Sequence, residues 1–157
     1  MSLTWHWHTF DTIPPRILFD YLRLRSDIFV VEQACVFSDM DVFDEDGWHL
    51  VGLDANSRVQ AGLRLLAPGV KYAEPSLGRI VLAAHLRGMG LADALVQEGL
   101  AQSEQLYPGS GNRIGAQARL QRFYERQGFV RDGEEYDEDG IAHVEMRLDR
   151  TAEKLLR

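Results

Sequence analysis

Apolar and polar residues alternate along LTWHWHTF (residues 3–10), which predicts a short strand with Trp5 and Trp7 on one face. DTIPPR follows. Asp11 or Thr12 is placed to cap a helix, and Pro15 suits its first turn. Apolar residues then recur at Ile17, Leu18, Tyr21, Leu22, Leu24, Ile28 and Phe29, a helical spacing that runs toward Val31 with room for a bend. After the acidic stretch SDMDVFDEDG, WHLVGLD and RVQAGLRLLA read as two strands of a hairpin with ANS at its tip. PGVKYAEPS is a loop, and LGRIVLA is a third strand of this group. GLADALVQEGLAQSEQLY has helical spacing, with Leu91, Leu95, Gly99 and Gln102 on successive turns, and PGSGN ends it. RIGAQA is a strand of small residues, and RLQRFYERQG a short helix closed by Gly128. FVRDGEEYDEDGIAHVEMRLD reads as two strands around DEDG. The tail TAEKLLR reads as exposed helix or coil. Helices separate strands only in parts of the chain, so the pattern predicts a mixed α/β or α+β domain with a largely antiparallel sheet.

Length and composition narrow this picture. A chain of 157 residues fits one domain, 1–157, and 45% hydrophobic residues supply a core. A net charge of -7 argues against a nucleic-acid partner, which needs clustered cations, and suits a cationic small molecule. The single cysteine, Cys35, allows no internal disulfide and points to a reducing compartment. No apolar stretch approaches the ~20 residues of a membrane span, and the N-terminus lacks the pattern of a signal peptide. A cytoplasmic protein without a membrane partner is the expectation.

The chemistry concentrates in HLRGMGLADAL, between a strand and a helix. Unsatisfied N–H groups at a helix start attract anions. Small residues let a phosphate approach the backbone, and Arg87 adds a positive charge. The same glycines would also serve a tight turn with no ligand. Two other phosphate motifs fail. There is no G-x-x-x-x-G-K-[ST] string, and Asp93 stands where the third glycine of a dinucleotide fingerprint belongs.

What does match, R-x-x-G-x-A after a strand, resembles the pyrophosphate turn of the GNAT acetyltransferases. LQRFYERQGF is similar to that family's late helix. LRLRSDIFVVEQACVFSDMDVFDEDGWHL, GAQARLQRFYERQGF and YDEDGIAHVEMRL resemble its ElaA-like group, so the likeness spans Trp5 to Leu148. It implies a twisted, mostly antiparallel mixed sheet of about seven strands with flanking helices. The fourth and fifth strands, LGRIVLA and RIGAQA, should splay around a pantetheine arm. The resemblance further implies direct transfer from acetyl-CoA to a primary amine of a small-molecule or peptide acceptor, with a homodimer left open. Arg87, Gly88, Met89, Gly90, Leu91 and Ala92 would hold the diphosphate, and the backbone of Ile80, Val81 and Leu82 would face the thioester. Gln117, where many members carry asparagine, would line the cofactor site. Tyr124 would donate to the leaving thiolate.

The proton acceptor is open among Glu32, His49 and Glu138, or a water held by carboxylates. SDMDVFDEDG is either a solvated acidic loop or an attractor for a cationic acceptor. It is no EF-hand, because Phe43 occupies the fifth ligand position counted from Asp39. His6 and His8 share a strand face without a nearby third ligand, so no metal is expected. Cys35 reads as a small buried side chain rather than a nucleophile. Two rivals to an enzyme remain: a non-catalytic CoA-binding or acyl-CoA-binding module, and a nucleotide-binding protein with a similar turn.

Overall fold

A computed structural model describes residues 2–150, so the tail TAEKLLR lies outside the described residues. Strand β1 (Thr4–Thr9) pairs antiparallel with β2 (Trp48–Leu53), β2 with β3 (Val59–Leu66), and β3 with β4 (Ser76–Leu82). A second sheet has β5 (Asn112–Gln117), β6 (Val130–Arg131) and β7 (Tyr136–Glu138) all paired with β8 (Ile141–Leu148). The expected mostly antiparallel sheet of about seven strands is present among the described residues as eight strands in two groups of four. The two strands expected around DEDG are three. Asp132 and Gly133 divide the first, and the Asp132 amide donates to the Glu145 carbonyl at 2.8 Å. The DEDG hairpin itself is present: Asp139 (φ 55°) and Gly140 (φ 81°) form its two-residue tip.

β3 is buried along nearly its whole length, because both faces are covered. Successive side chains of a strand point to opposite faces. At Gly62 a Cβ would lie 2.6 Å from the Tyr21 ring of helix α1 (Pro15–Ser26). The next residue, Leu63, meets helix α2 (Leu91–Leu106), approaching within 2.8 Å of where a Cβ on Gly99 would sit. The two helices thus pack on opposite faces of the first sheet. Ile13, Tyr21, Val51 and Val59 form a small core under α1, and Leu63, Leu95, Val144 and Met146 belong to the larger core under α2. The third helix, α3 (Gln121–Arg126), closes that core with Tyr124.

No side chain caps α1. Pro14 holds the N-cap position with Pro15 at the first turn, while Thr12 accepts from the Thr9 amide instead. The expected bend is a change of helix type: Asp27–Glu32 is π-helical, and Gln33 and Cys35 donate to carbonyls five residues back.

β4 and β5 are adjacent edges of the two sheets, joined at one end only. The Leu77 amide donates to Asn112 Oδ1 at 3.0 Å, and the Arg113 amide to the Pro75 carbonyl at 3.0 Å. Beyond these bonds no ladder joins the two strands. In β4 a bulge at Arg79, where φ is 49°, breaks the register with β3.

Candidate active site

The gap between β4 and β5 opens into a cleft of about 590 Å³. Ile80, Val81 and Leu82 line it from β4, Gly115 and Gln117 from β5, and Tyr124 from α3. Arg87 and Ala92, the two ends of the glycine turn, border the same cleft, with Gly88, Met89, Gly90 and Leu91 between them. Seven of the expected cofactor positions, Ile80, Val81, Leu82, Arg87, Ala92, Gln117 and Tyr124, therefore line one cleft, drawn from three separate stretches of chain.

The turn requires its glycines. Gly88 and Gly90 have φ of 81° and 77°, and Gly90 is the left-handed N-cap of α2. Nothing lies within 4 Å of the Cβ either would carry, and no side chain caps the helix. The first amides of a 16-residue helix are thus left for an outside acceptor. Arg87 is half exposed beside them. Its Nη1 and Nη2 donate to both carboxylate oxygens of Glu32, at 2.9 and 2.5 Å. That bidentate pair holds the Glu32 carboxyl below its usual range and raises Arg87. Glu32 therefore borders the cleft as the partner of Arg87, in the place an anionic ligand of that arginine would take.

Tyr124 is buried, its ring edge-on to Phe123 and Phe129. Burial pushes its phenol well above the ordinary range, opposed by the nearby Arg119 charge, so at neutral pH it is an O–H donor. Gln117 joins two walls of the cleft. Its Nε2 donates to Gln33 Oε1 at 3.3 Å, and its Oε1 accepts from Arg119 Nε at 3.1 Å.

His49 is placed elsewhere. It is buried behind the first sheet, where Nε2 donates to the Asp44 carbonyl at 2.8 Å and Nδ1 accepts from the Tyr21 hydroxyl at 3.1 Å. Burial lowers its pKa. It borders a separate pocket of about 180 Å³ with Phe10, Leu18 and Asp44. Both ring nitrogens are occupied and the cleft is out of reach, so His49 is corrected from a proton acceptor to a core histidine.

The acidic loop is solvated only in part: Glu45 and Asp46 are exposed, whereas Asp39, Asp41 and Asp44 are held by arginines. Arg25, fully buried on α1, donates from Nε to Asp39 at 2.8 Å and from Nη1 to Asp44 at 2.8 Å. Arg64 Nη1 meets Asp41 at 2.7 Å and Asp44 at 3.0 Å, and Arg79 meets Asp39 at 2.8 Å and Asp41 at 3.1 Å. Three arginines neutralise three aspartates and tie the loop to α1, β3 and the β4 bulge. Burial raises the Asp44 carboxyl, but the Arg25 hydrogen bonds and charge, the Asp41 amide and Arg64 outweigh it and hold the pKa at about 2.

At the remaining wall stands a residue that the chain pattern did not single out. His143 on β8, opposite Gln117 in register, lines the cleft with Glu138 and Asp139. Its ring lies against Tyr136, and the Tyr136 hydroxyl sits 2.8 Å from where a Cβ on Gly115 would be. The Asp139 carbonyl accepts from the Cys35 thiol at 3.6 Å, linking the hairpin tip to the end of the π-helix. Among the described residues no cluster of three or more His, Cys, Asp or Glu is placed to hold a metal ion, and no helix is long and apolar enough to cross a membrane.

A family model for the acetyltransferase (GNAT) domain matches residues 43–150. A UPF0039 protein of Synechocystis is 38% identical over 146 residues, covering 93% of this chain and 95% of the relative. An acyl-CoA N-acyltransferase from Pseudomonas aeruginosa has a crystal structure that superposes with a TM-score of 0.88 at 36% identity, covering 94% of this chain and 99% of that one. The crystal structure of Escherichia coli ElaA superposes with a TM-score of 0.87 at 31% identity, again over 94% and 99%.

Proposed function

The chain belongs to the GNAT acetyltransferase family, in the group of ElaA, and is an acyltransferase; on that premise we propose that it moves the acetyl group of acetyl-CoA directly onto a primary amine of a small-molecule or peptide acceptor. One observation carries the choice of donor: an uncapped helix start, reached through two obligatory glycines, opens beside Arg87 on the cleft between β4 and β5, which no ladder joins. A diphosphate would accept from the first amides of α2 and from Arg87, displacing Glu32. The pantetheine arm would then run between β4 and β5.

Transfer needs hydrogen-bond donors where negative charge develops. The backbone of Ile80, Val81 and Leu82 would supply them to the thioester oxygen, pre-oriented by the strand. Tyr124, kept protonated by burial, would hydrogen-bond the departing thiolate. Gln117 would fix the cofactor side of the cleft while holding Gln33 and Arg119 in place.

The test is calorimetric titration of CoA into Arg87→Ala and Gly90→Val. Arg87→Ala removes a charged hydrogen bond worth about 1.5–3 kcal/mol, a loss of roughly tenfold to a hundredfold in affinity. Gly90→Val puts a β-branched residue at a φ of 77° and a side chain into the phosphate path. Wild-type affinity in both folded variants would discard the assignment.

A further inference from the structure

His143 and Glu138 form a pair that is incomplete as it stands. His143 is buried, with 9% of its side chain exposed, and its Nδ1 lies 2.8 Å from the Ile141 carbonyl. A carbonyl only accepts, so Nδ1 carries the hydrogen. In the neutral ring the lone pair is then on Nε2, and Nε2 faces Glu138 Oε2 at 3.3 Å. Two acceptors confront each other with no hydrogen between them. Either a proton on Nε2 or an N–H group from outside completes the arrangement, and both groups border the cleft that holds Tyr124 and the β4 backbone.

We infer that the His143–Glu138 pair is the seat of the acceptor amine, with His143 Nε2 as the proton acceptor of the transfer. The inference rests on the acetyltransferase reading and deepens it. An alkylammonium ion would donate one hydrogen to Glu138 and one to Nε2, filling both vacant acceptors. One N–H bond breaks as an Nε2–H bond forms, and the imidazolium is held between Ile141 O and the Glu138 carboxylate. The neutral amine's lone pair then attacks the thioester carbon, and the carbonyl electron pair moves to oxygen. When that pair returns, the C–S bond breaks and its electrons leave on sulfur. A second proton passes from nitrogen to the thiolate by way of the Tyr124 hydroxyl. The products are the amide, free CoA thiol and one proton, which Nε2 returns to solvent. His49, inside the core, offers no vacant acceptor here, and Glu32 lies beside Arg87, at the diphosphate end of the cleft.

The experiment compares His143→Asn and Glu138→Gln with wild type, reading thiol release from acetyl-CoA. Asparagine keeps a donor where Nδ1–H points and removes the Nε2 lone pair. The acceptors are a panel of primary alkylamines and amino acids, and hydroxylamine, whose nitrogen is already unprotonated at neutral pH. With the best ammonium-type acceptor, kcat of His143→Asn should fall by about 10²–10⁴, the usual range for a positioned base. With hydroxylamine it should stay within about threefold, because no proton must leave before attack. Glu138→Gln should raise the KM of the ammonium acceptor more than that of hydroxylamine. An equal loss with both nucleophiles, or no loss with either, overturns the inference while leaving the transferase reading intact. Wild-type protein that binds acetyl-CoA and releases thiol with none of the acceptors overturns that reading and this inference with it.

Discussion

Arg25 offers a direct test of the network that closes one wall of the cleft. The perturbation is Arg25→Met, which keeps a long apolar stem and removes the guanidinium. The side chain is fully buried and donates to Asp39 at 2.8 Å and to both oxygens of Asp44 at 2.8 and 3.1 Å. Removing one member of a buried ion pair costs about 3–5 kcal/mol, because the other is left charged and unsolvated. Here the abandoned carboxylates are not wholly orphaned. Asp39 keeps Arg79 and Asp44 keeps Arg64 together with the Asp41 amide. The loss should therefore lie near the lower limit, about 3 kcal/mol. For a domain of this size that corresponds to a fall in Tm of roughly 6–12 °C. Urea unfolding followed by tryptophan fluorescence reads it, since Trp5, Trp7 and Trp48 pack against the core. The slope m should stay constant while the midpoint falls. In a double-mutant cycle, Arg25→Met should cost less in an Asp44→Asn background, with a coupling of at least about 1 kcal/mol. A loss below about 1 kcal/mol, or strict additivity, would mean that the six charges are a surface array contributing little.

Tyr124→Phe keeps the ring packed on Phe123 and Phe129 and removes only the hydroxyl; kcat should drop by about 10²–10⁴ with the KM for acetyl-CoA nearly constant in steady-state kinetics, whereas a near-wild-type kcat with chemistry rate-limiting would make it a packing residue. The depressed Asp44 carboxyl contributes stability that is complete above its ordinary pKa of 3.8 and is lost as pH falls through about 2. That contribution is about 2–3 kcal/mol, since each tenfold weakening of proton binding in the folded state is worth roughly 1.4 kcal/mol, and urea midpoints measured between about pH 5 and pH 2 should fall less steeply in Asp44→Asn than in wild type.

Local rules reached most of the fold. The alternation in β1, the turn at Asp139-Gly140 and the glycines at 88 and 90 each report a conformation that neighbouring residues dictate, so each could be read along the chain. The Arg–Asp network could not. Arg25 and Asp44 are 19 residues apart and Arg79 and Asp41 are 38 apart, and a charge on an amphipathic segment gives no sign of whether it is solvated or buried against a distant partner. His49 misled for the same reason: a histidine on a strand looks identical whether its strand faces a cleft or a helix. His143 was reachable. The two-residue tip sets Glu138 against Ile141 and Tyr136 against His143, which puts Glu138, Tyr136 and His143 on one face of the hairpin. The same register sets Glu138 diagonally from His143, so the pair is legible in the spacing around the tip.

The π-helical stretch Asp27–Glu32 also bears on how this chain tolerates insertion and deletion. A π-turn holds one residue more than an α-turn, so this stretch carries an extra residue inside a continuous helix. Losing that one residue would let the ordinary α-ladder close with the chain on either side still in phase, Glu32 toward Arg87 and Gln33 toward Gln117. A second loss would find no such reserve, because a helix advances about 100° per residue, and it would carry both side chains off their partners and bring the aspartates of the loop out of phase with Arg25. The segment can therefore absorb a change of one residue in its length and no more.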